Sequence, residues 1–378
     1  MLKRLYVHNY KCLVNFEINF DQDISLFLGA NGSGKSTVFE VLAKLRRVIV
    51  YDTKLDNVSK EFVNEGIENI FDYKDRPRWL KDEKTDTRFE LDIEIQNSIY
   101  RYLLVIDLGD IETTPLIKEE YLFFDKDILI DSKAEKTIFF DKNIGEKEFS
   151  FDKSTSSIKR YCEFCAKEFL QYFRTFFLVR INPYEMSTGF VCQNTDIKKD
   201  LSNFSEWFSH LNEANRKGVF ELEKAMRDIL PGFDYFRIVP IEHFKILKID
   251  FKNSYNEKKP ISYDFDELSE GQKILIALYA LIYCAPENAL ICIDEPENFL
   301  ALPEIQPWFN VLYDQCDERG LQALLISHHP KIINMLANDA GFWFSKENNL
   351  TRVQNITPED ESGLSIAELI DRGWIYEQ

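Results

Sequence analysis

Residues 29–37, with the sequence GANGSGKST, constrain the fold of this chain more than any other stretch. They fit the phosphate-binding pattern G-x-x-x-x-G-K-[ST] without a mismatch. The apolar run Ile24–Leu28 precedes them and predicts a buried strand, and helical periodicity follows over residues 36–48. Glycines let backbone N–H groups converge on anionic oxygens, and a helix N-terminus adds partial positive charge. Strand, glycine-rich turn and helix together predict a site for a nucleoside triphosphate.

The side chains of this loop have separate expected roles. Lys35 is expected to reach the β- and γ-phosphates, and Ser36 to ligate Mg²⁺. The alternative, a glycine-rich turn that matches by accident, does not explain the strand and helix on either side. The residues predicted to contact the nucleotide are Gly29, Asn31, Gly32, Ser33, Gly34, Lys35, Ser36 and Thr37.

Length, charge and cysteine content limit the remaining possibilities. A chain of 378 residues allows two or three folding units. A net charge of −18 argues against a surface adapted to coat nucleic acid, although a local basic patch is compatible with it. Residues 1–5 lead straight into strand-like sequence, so no targeting segment is expected, and the seven cysteines are expected to be reduced in the cytoplasm. No apolar run approaches the roughly 20 residues that span a bilayer, so no membrane contact is expected.

A second motif, LSEGQK, begins at Leu268 and opens a strongly apolar segment, residues 274–284. Ser269 is placed as the N-cap of a helix, whose first turn is a second anion site. The expected contacts there are Ser269, Gly271 and Gln272. Such a turn, taken alone, is usually ordinary helix capping.

Two further apolar runs end in polar residues of the kind that catalysis requires. Residues 289–293 end in Asp294-Glu295-Pro296, which predicts a strand buried on both faces with carboxylates at its carboxyl edge. Asp294 suits the Mg²⁺ shell, and Glu295 suits a base that polarises the attacking water. A solvated turn would not explain the five apolar residues before it. The run 321–326 ends in Ser327-His328-His329-Pro330, where a histidine could bond a γ-phosphate oxygen.

These four elements, in this order, resemble the ABC-type ATPase head shared by the SMC, RecF and DNA-repair families. The chain is most similar to the compact bacterial ATPases grouped with the overcoming-lysogeny-defect (OLD) family, through "LYVHNYKCL", "LFLGANGSGKST", "LSEGQ", "LICIDEPENFL" and "LLISHHP". The resemblance covers residues 1–50 and 235–340 well and the middle poorly. It implies an α/β fold, a P-loop NTPase head with a mixed sheet, helices on both faces and an antiparallel β subdomain. The expected domains are a discontinuous head, 1–52 and 235–378, and an inserted β-meander and helical lid, 53–234.

The resemblance also implies roles for single residues. Counting back from Pro330 makes His328 the switch histidine, with His329 as its stand-in. The family's Mg²⁺-loop glutamine could be Gln96, Gln171 or Gln193. Residues 298–303 depart from the family pattern, which usually contains Leu-His-Pro, because they lack the histidine. The implied mechanism needs ATP and Mg²⁺: two heads sandwich two ATP molecules, each held by Lys35 of one subunit and Ser269 of the other. Hydrolysis at Glu295 then releases this homodimer.

The middle of the chain has its own pattern. Strand-like runs between charged turns over residues 88–151 predict an antiparallel meander, and residues 158–230 have helical periodicity ending at Pro231-Gly232. A metal-binding role for Cys162 and Cys165 would resemble the zinc hook of DNA-repair relatives, but the flanking heptads are missing. Packed apolar cysteines are favoured, and redox chemistry is a third interpretation. The basic cluster Lys44, Arg46 and Arg47 fits either a nucleic-acid backbone or a solvated helix face.

Several functions agree with these motifs. The leading hypothesis is an ATP-driven switch that controls a separate effector, expected to be a nuclease, in bacterial anti-phage defence, because the segment after residue 340 is too short for the nuclease domain of longer relatives. The alternative is a repair or recombination ATPase of the RecF or SMC type that acts directly on DNA, which a positive groove would favour. The long separation of the phosphate loop from Leu268 argues against a transporter subunit. Intact Lys35, Asp294 and Glu295 argue against a head that does not hydrolyse ATP.

Overall fold

The computed structural model describes residues 1–50, 54–55, 62–63, 66–80, 85–141, 145–253, 259–356 and 365–372. Within these ranges the strands are, in chain order, β1 (Leu2–His8), β2 (Phe16–Asn19), β3 (Ile24–Leu28), β4 (Lys54–Leu55), β5 (Phe62–Val63), β6 (Thr87–Ile95), β7 (Ser98–Asp107), β8 (Leu116–Phe124), β9 (Asp127–Lys133), β10 (Lys136–Asp141), β11 (Gly145–Ser150), β12 (Phe176–Val179), β13 (Gly189–Phe190), β14 (Phe233–Ile241), β15 (Phe244–Phe251), β16 (Ile261–Asp264), β17 (Leu290–Asp294), β18 (Gln322–Ile326), β19 (Gly341–Glu347) and β20 (Leu350–Asn355).

The α-helices of the same ranges are α1 (Lys35–Ile49), α2 (Ser157–Cys165), α3 (Lys167–Arg174), α4 (Phe204–Ala214), α5 (Arg216–Ile229), α6 (Glu270–Cys284), α7 (Leu302–Arg319), α8 (Pro330–Ala340) and α9 (Ile366–Asp371). Contacts between residues group the chain into two units. The first contains Met1–Phe176 and Ile333–Gln378, and the second contains Phe177–Ile332.

The larger sheet of the first unit is antiparallel and has the strand order β11-β10-β9-β8-β7-β6-β1-β2. Most of its strands alternate buried apolar side chains with more exposed polar ones, as in β6, where Phe89, Leu91 and Ile93 are fully buried. Successive strands β6–β11 pair with their neighbours in sequence, which confirms the predicted meander. The prediction did not join this meander to residues 1–20, but β1 pairs with β6 over Leu2–His8.

This pairing groups the chain differently from the expected division into 1–52 with 235–378 and 53–234. The meander and the first two strands share one sheet, because the apolar face of β1 continues that of β6. The expected boundary near residue 53 falls in a stretch that is mostly outside the described residues. The domain boundaries therefore stay a prediction.

The phosphate-loop segment of the first unit has the predicted arrangement of strand, turn and helix. All five residues of β3 are buried, and β3 pairs in parallel with β19, which pairs antiparallel with β20. Phe27 in β3 packs against Phe39 of α1 and Phe344 of β19, with ring centroids 5.6 and 4.8 Å away. These apolar contacts hold both ends of the glycine-rich turn on rigid elements.

The second unit contains the strands that end in polar motif residues. Its strands β12, β17 and β18 lie in that order, and β17 and β18 are parallel and fully buried. Burial on both faces was predicted for β17 from its apolar sequence. Helix α6 is apolar almost all round, and its residues from Lys273 to Ile282 are all buried. A second sheet of the unit is antiparallel and contains β13, β15, β14 and β16.

The helical prediction for residues 158–230 holds for α2–α5 but was wrong at β12 and β13. The sequence of β12, Phe-Phe-Leu-Val, is a short apolar run whose periodicity does not distinguish a buried strand from part of a helix. This error matters for the site, because β12 lies beside β17.

Candidate active site

The phosphate loop links β3 to α1 and presents its backbone at the start of the helix. Lys35 is the first residue of α1, and its ammonium donates to the carbonyl oxygens of Gly29 (2.6 Å) and Ala30 (3.0 Å). Among the residues that the structure describes, no side chain caps the N-terminus of α1. The first-turn N–H groups can therefore be satisfied by an anion. Asn31, Gly32 and Ser36 are exposed, whereas Ser33 and Gly34 are buried.

Two glycines of the loop are required by the surrounding packing. At Gly29, with φ +136°, a Cβ would lie 2.1 Å from the carbonyl oxygen of Phe344. At Gly34, with φ +107°, a Cβ would lie 2.4 Å from Oγ1 of Thr351. Both positions combine a left-handed φ with a close approach, so only glycine fits.

Thr351 in β20 supports the loop from the side, a role that the sequence analysis missed. Its fully buried hydroxyl donates to the carbonyl oxygen of Ser33 at 2.8 Å, and its N–H donates to the carbonyl oxygen of Cys12 at 3.0 Å. The thiol of Cys12 lies 3.7 Å from Oγ1 of Thr37. Thr351 belongs to no motif, and only the fold brings Thr351 and Cys12 to the loop.

The donor groups predicted for Mg²⁺ fit that ion chemically. The Ser36 hydroxyl and the Asp294 carboxylate are the hard oxygen ligands that Mg²⁺ takes from proteins. Asp294 ends β17 with a side chain only 5% exposed, whereas Ser36 is exposed at the start of α1. The buried hydroxyl of Ser33 has no hydrogen-bond partner within the described residues, which also indicates a ligand at the loop. Bound Mg²⁺ would neutralise charge on the phosphate oxygens.

Glu295 follows β17 in a constrained conformation. Its φ is +58°, in the left-handed region that residues other than glycine rarely adopt, at a cost of about 1–2 kcal/mol. Its N–H donates to the carbonyl oxygen of Ile326 at 2.8 Å, which ties the end of β17 to the end of β18. The carboxylate oxygen Oε2 accepts from Arg180 Nη2 at 2.7 Å and from Asn298 Nδ2 at 3.0 Å. Strain of this kind is concentrated at functional sites.

The residues after β18 show which histidine is available. Nδ1 of His329 accepts the backbone N–H of Lys331 at 3.2 Å, so this nitrogen is engaged at the start of α8. The ring of His328 is exposed and has no hydrogen bond within the described part of the chain. His328 can therefore present both ring nitrogens to a ligand, whereas His329 can present only Nε2.

Glu297 holds this turn, although the sequence analysis gave it no role. Its Oε1 accepts from the hydroxyl of Ser327 at 2.7 Å and from the backbone N–H of His328 at 3.2 Å. Glu297 thus links the segment after β17 to the segment after β18. In the sequence, only the position of Glu297 at the end of Asp-Glu-Pro-Glu could have indicated this role.

The Leu268–Lys273 turn has the predicted capping arrangement. Ser269 Oγ accepts the N–H of Gln272 and donates to its Oε1 at 3.1 Å, which closes a capping box at α6. Ser269 is exposed. A Cβ at Gly271 would lie 3.1 Å from the carbonyl oxygen of Phe299, so this turn packs against the segment after Glu295. Beside it the exposed rings of Phe299 and Tyr184 meet edge to face at 5.7 Å.

The Mg²⁺-loop glutamine stays a prediction with three candidates, which lie in different parts of the chain. Gln96 lies in the turn between β6 and β7, and Gln171 lies in α3. The Gln193 amide donates to Ser209 Oγ at 3.2 Å and to Glu213 at 2.6 Å. The residue that does reach Glu295 from the end of the neighbouring strand is Arg180.

A basic cavity of about 720 Å³ in the first unit was also missed. It is lined by Lys11, Lys74, Arg76, Arg78, Trp79 and Asn349. Lys11 precedes Cys12, and Asn349 lies two residues before Thr351, so the cavity shares supporting segments with the phosphate loop. Trp79 is 44% exposed. Four cations and an exposed ring suit a ligand that carries both phosphate and an aromatic base.

The basic cluster on α1 has contacts within the first unit that neither interpretation of the sequence expected. Lys44 pairs with Asp75 and lies 4.9 Å from the ring centroid of Phe71. Arg46 donates to the carbonyl oxygen of Phe173, and Arg47 to that of Asn69. These cations therefore join α1 to neighbouring segments.

The two cysteines of α2 differ in burial. Cys162 is fully buried, and its thiol donates to the carbonyl oxygen of Ala166 at 3.1 Å. Burial raises the pKa of the Cys162 thiol well above its ordinary value. Cys165 is half-buried and donates to Tyr161. Within the described ranges no group of three or more metal-ligating side chains is assembled, and no helix there is long and apolar enough to cross a bilayer.

Comparison with known proteins identifies the family and the fold. The sequence model of the family described as "AAA domain, putative AbiEii toxin, Type IV TA system" matches residues 24–334. Among curated proteins, no sequence matches this chain. A solved SMC head bound to the C-winged helix domain of ScpA is similar in structure, with a TM-score of 0.52, 12% identity, and coverage of 95% of this chain and 98% of that one. The SMC head domain from Thermotoga maritima has a TM-score of 0.45 at 13% identity, over 94% of this chain and 98% of that chain. The likeness to the ScpA-bound head confirms the predicted α/β P-loop NTPase head.

Proposed function

This chain belongs to the AAA-domain family matched over residues 24–334, and we propose that it binds ATP with Mg²⁺ and hydrolyses it to ADP and phosphate. The geometry of the phosphate loop is the observation that supports this proposal. Only glycine fits at Gly29 and Gly34, because the backbone of Phe344 and the side chain of Thr351 approach them closely. Among the described residues no side chain caps the N-terminus of α1, and Lys35 lies against the loop carbonyls. Those are the features by which a backbone binds a chain of phosphates.

Each motif residue has a role in this reaction. Lys35 and the loop N–H groups bind the phosphates, and Ser36 with Asp294 would hold Mg²⁺. Glu295 takes a proton from the attacking water while the new bond to the γ-phosphorus forms and the bond to the ADP oxygen breaks. The free ring of His328 donates to a γ-phosphate oxygen.

We place the nucleoside half of ATP in the basic cavity, because its walls continue from the segments that support the phosphate loop. Its volume of about 720 Å³ is within the ordinary range for small-molecule sites. Trp79 offers a stacking surface for the base, and Arg78 a cation for the α-phosphate.

ATP is also proposed to join two copies of the chain. Ser269 lies at an exposed helix N-terminus, its hydroxyl is not buried, and the exposed pair Tyr184 and Phe299 lies on the same unit beside Gly271. Exposed aromatic residues around an anion site are typical of a surface that becomes covered. In the proposed homodimer Ser269 of one copy contacts the ATP held by Lys35 of the other.

The biological role proposed for this switch is control of a separate effector, a nuclease, in cytoplasmic anti-phage defence of the OLD type. The family description, which includes a toxin and a toxin–antitoxin system, supports a role for ATP turnover in controlling a harmful activity. ATP binding would assemble the dimer, and hydrolysis would end its active period.

Replacement of Glu295 by Gln tests the ATPase proposal. The amide keeps the shape but accepts no proton, so turnover should fall about 10²- to 10⁴-fold while ATP still binds. Phosphate release and calorimetry would measure the two effects, and light scattering with saturating ATP and Mg²⁺ should show a dimer. Glu318→Gln, a change on exposed α7 surface, is the control. Unchanged turnover in Glu295→Gln would refute the assigned base, and a monomer would refute the sandwich.

A second candidate function is direct binding of nucleic acid, as in a repair ATPase. The observation that favours it is the same basic cavity, where four cations are concentrated in a chain of net charge −18. Stacking on Trp79 and pairing of Arg78 with a phosphate would bind a single strand.

Trp79→Ala and Arg78→Glu separate the two uses of the cavity. If the cavity holds the nucleoside, both variants should weaken ATP binding in calorimetry, the first by about 5- to 150-fold, since stacking on a base is worth ~1–3 kcal/mol. Phe149→Ala removes an equally exposed ring from β11 and serves as the control. Normal ATP affinity, together with lost binding of a fluorescent DNA strand in an anisotropy titration, would favour the nucleic-acid function instead.

A further inference from the structure

Glu295 is held by a cation that no motif of the sequence contains. The Nη2 atom of Arg180 lies 2.7 Å from Glu295 Oε2, and Asn298 Nδ2 lies 3.0 Å from the same oxygen. Both donors engage one carboxylate oxygen, and the second oxygen, Oε1, takes no part in either bond. A carboxylate fixed through one oxygen can accept a proton on the other without losing its orientation.

The backbone that carries Arg180 is fixed independently of its side chain. Arg180 directly follows β12, the strand beside β17, so it emerges at the edge where β17 delivers its carboxylates. Its N–H donates to the carbonyl oxygen of Lys199 at 2.7 Å, and that of Asn182 donates to Asp200 at 3.0 Å. The Arg180 side chain is 57% exposed, so its contact with Glu295 is not forced by burial.

From this geometry we infer that Arg180 is a positioning residue for the ATPase reaction: it holds Glu295 in the orientation in which the carboxylate accepts the proton of the attacking water. The inference rests on the proposed role of Glu295. Arg180 touches neither nucleotide nor water in this role and acts through Glu295.

The ion pair matters because the backbone of Glu295 is fixed, whereas its side chain has few other restraints. That side chain is 27% exposed, so packing alone does not hold it. Without the guanidinium, one hydrogen bond from exposed Asn298 would be left on this carboxylate among the contacts described. A misplacement of about 1 Å in a catalytic group can reduce the rate by 10²-fold.

Arg180→Ala tests the inference by separating binding from turnover. We expect kcat to fall about 10- to 100-fold, with ATP affinity and melting temperature unchanged, because Arg180 acts after the nucleotide is bound. Arg180→Lys, which keeps a cation and a donor, should recover part of the loss. Arg227→Ala removes another exposed arginine that faces a glutamate, on α5, and should keep normal kcat.

A double-mutant cycle distinguishes this role from a general structural one. In the Glu295→Gln background the removal of Arg180 should cause no further loss, because the group that it positions can no longer accept a proton. An additional loss of the same size, a normal kcat in Arg180→Ala, or an increase in kcat would each overturn the inference. If Glu295→Gln itself keeps full turnover, the proposed base is wrong. A normal Arg180→Ala beside an inactive Glu295→Gln rejects only the positioning role.

Discussion

At the scale of single residues, Lys35 provides the most direct test of the nucleotide site. Its ammonium is bonded to two loop carbonyls and is only 6% exposed. Lys35→Ala should lower ATP affinity about 10- to 100-fold, because a hydrogen bond to a charged group is worth ~1.5–3 kcal/mol. Calorimetry measures this loss. Lys136→Ala, which removes an exposed lysine from β10, is the control, and an ATP affinity in Lys35→Ala equal to that control would exclude the phosphate-loop assignment.

The same scale shows which site residues a sequence can reveal. Lys35, Ser269 and Glu295 lie in short patterns whose residue types follow from phosphate chemistry, so they were identified without the fold. Thr351 and Arg180 were missed because each acts through one contact with a residue far away in sequence. No local pattern identifies a threonine whose importance comes from a carbonyl oxygen more than 300 positions before it.

At the scale of secondary-structure elements, β20 and the phosphate loop form one supporting assembly. The Thr351 hydroxyl bonds the carbonyl oxygen of Ser33, and its side chain occupies the space beside Gly34. Thr351→Val removes this bond from a buried position and should cost ~0.5–1.5 kcal/mol of unfolding free energy and weaken ATP binding. Thr351→Ser keeps the hydroxyl and loses a buried methyl, at a cost of about 0.8 kcal/mol.

Urea unfolding and calorimetry on the two variants separate packing from support of the loop. Both should lose stability, but only Thr351→Val should lose ATP affinity. Equal ATP affinities in the two variants would mean that the hydroxyl has no role in shaping the loop.

Secondary-structure elements could be predicted where the pattern of apolar residues was long and fitted only one type of element. The meander over 88–151 and helix α6 agree with the structure because alternation and an unbroken apolar run each favour one type of element. Strand β12 was missed because four apolar residues fit either type. The pairing of β1 with β6 was missed because partners in a sheet depend on the whole chain.

At the scale of the whole molecule, the question is whether two copies share their sites. Ser269 lies at the exposed start of α6, in the second unit, and Lys35 starts α1 in the first. Ser269→Arg places a large cation where the ATP of the other copy is proposed to bind, so this variant should bind ATP and fail to hydrolyse it. Lys35→Ala should also be inactive when it is alone.

Mixing these two inactive variants gives the most discriminating test of the dimer. In a hybrid, one composite site combines both lesions and the other is intact. With free exchange and independent sites, about one quarter of normal activity should return, because half the dimers have half of their sites restored. Phosphate release measures the recovery, and a fluorescence-transfer signal between differently labelled copies would prove exchange. Coupling between the sites would lower the recovered fraction without removing it. Proven exchange with no recovery would exclude independent sites that combine Ser269 of one copy with Lys35 of the other, since each hybrid contains one unmutated pair.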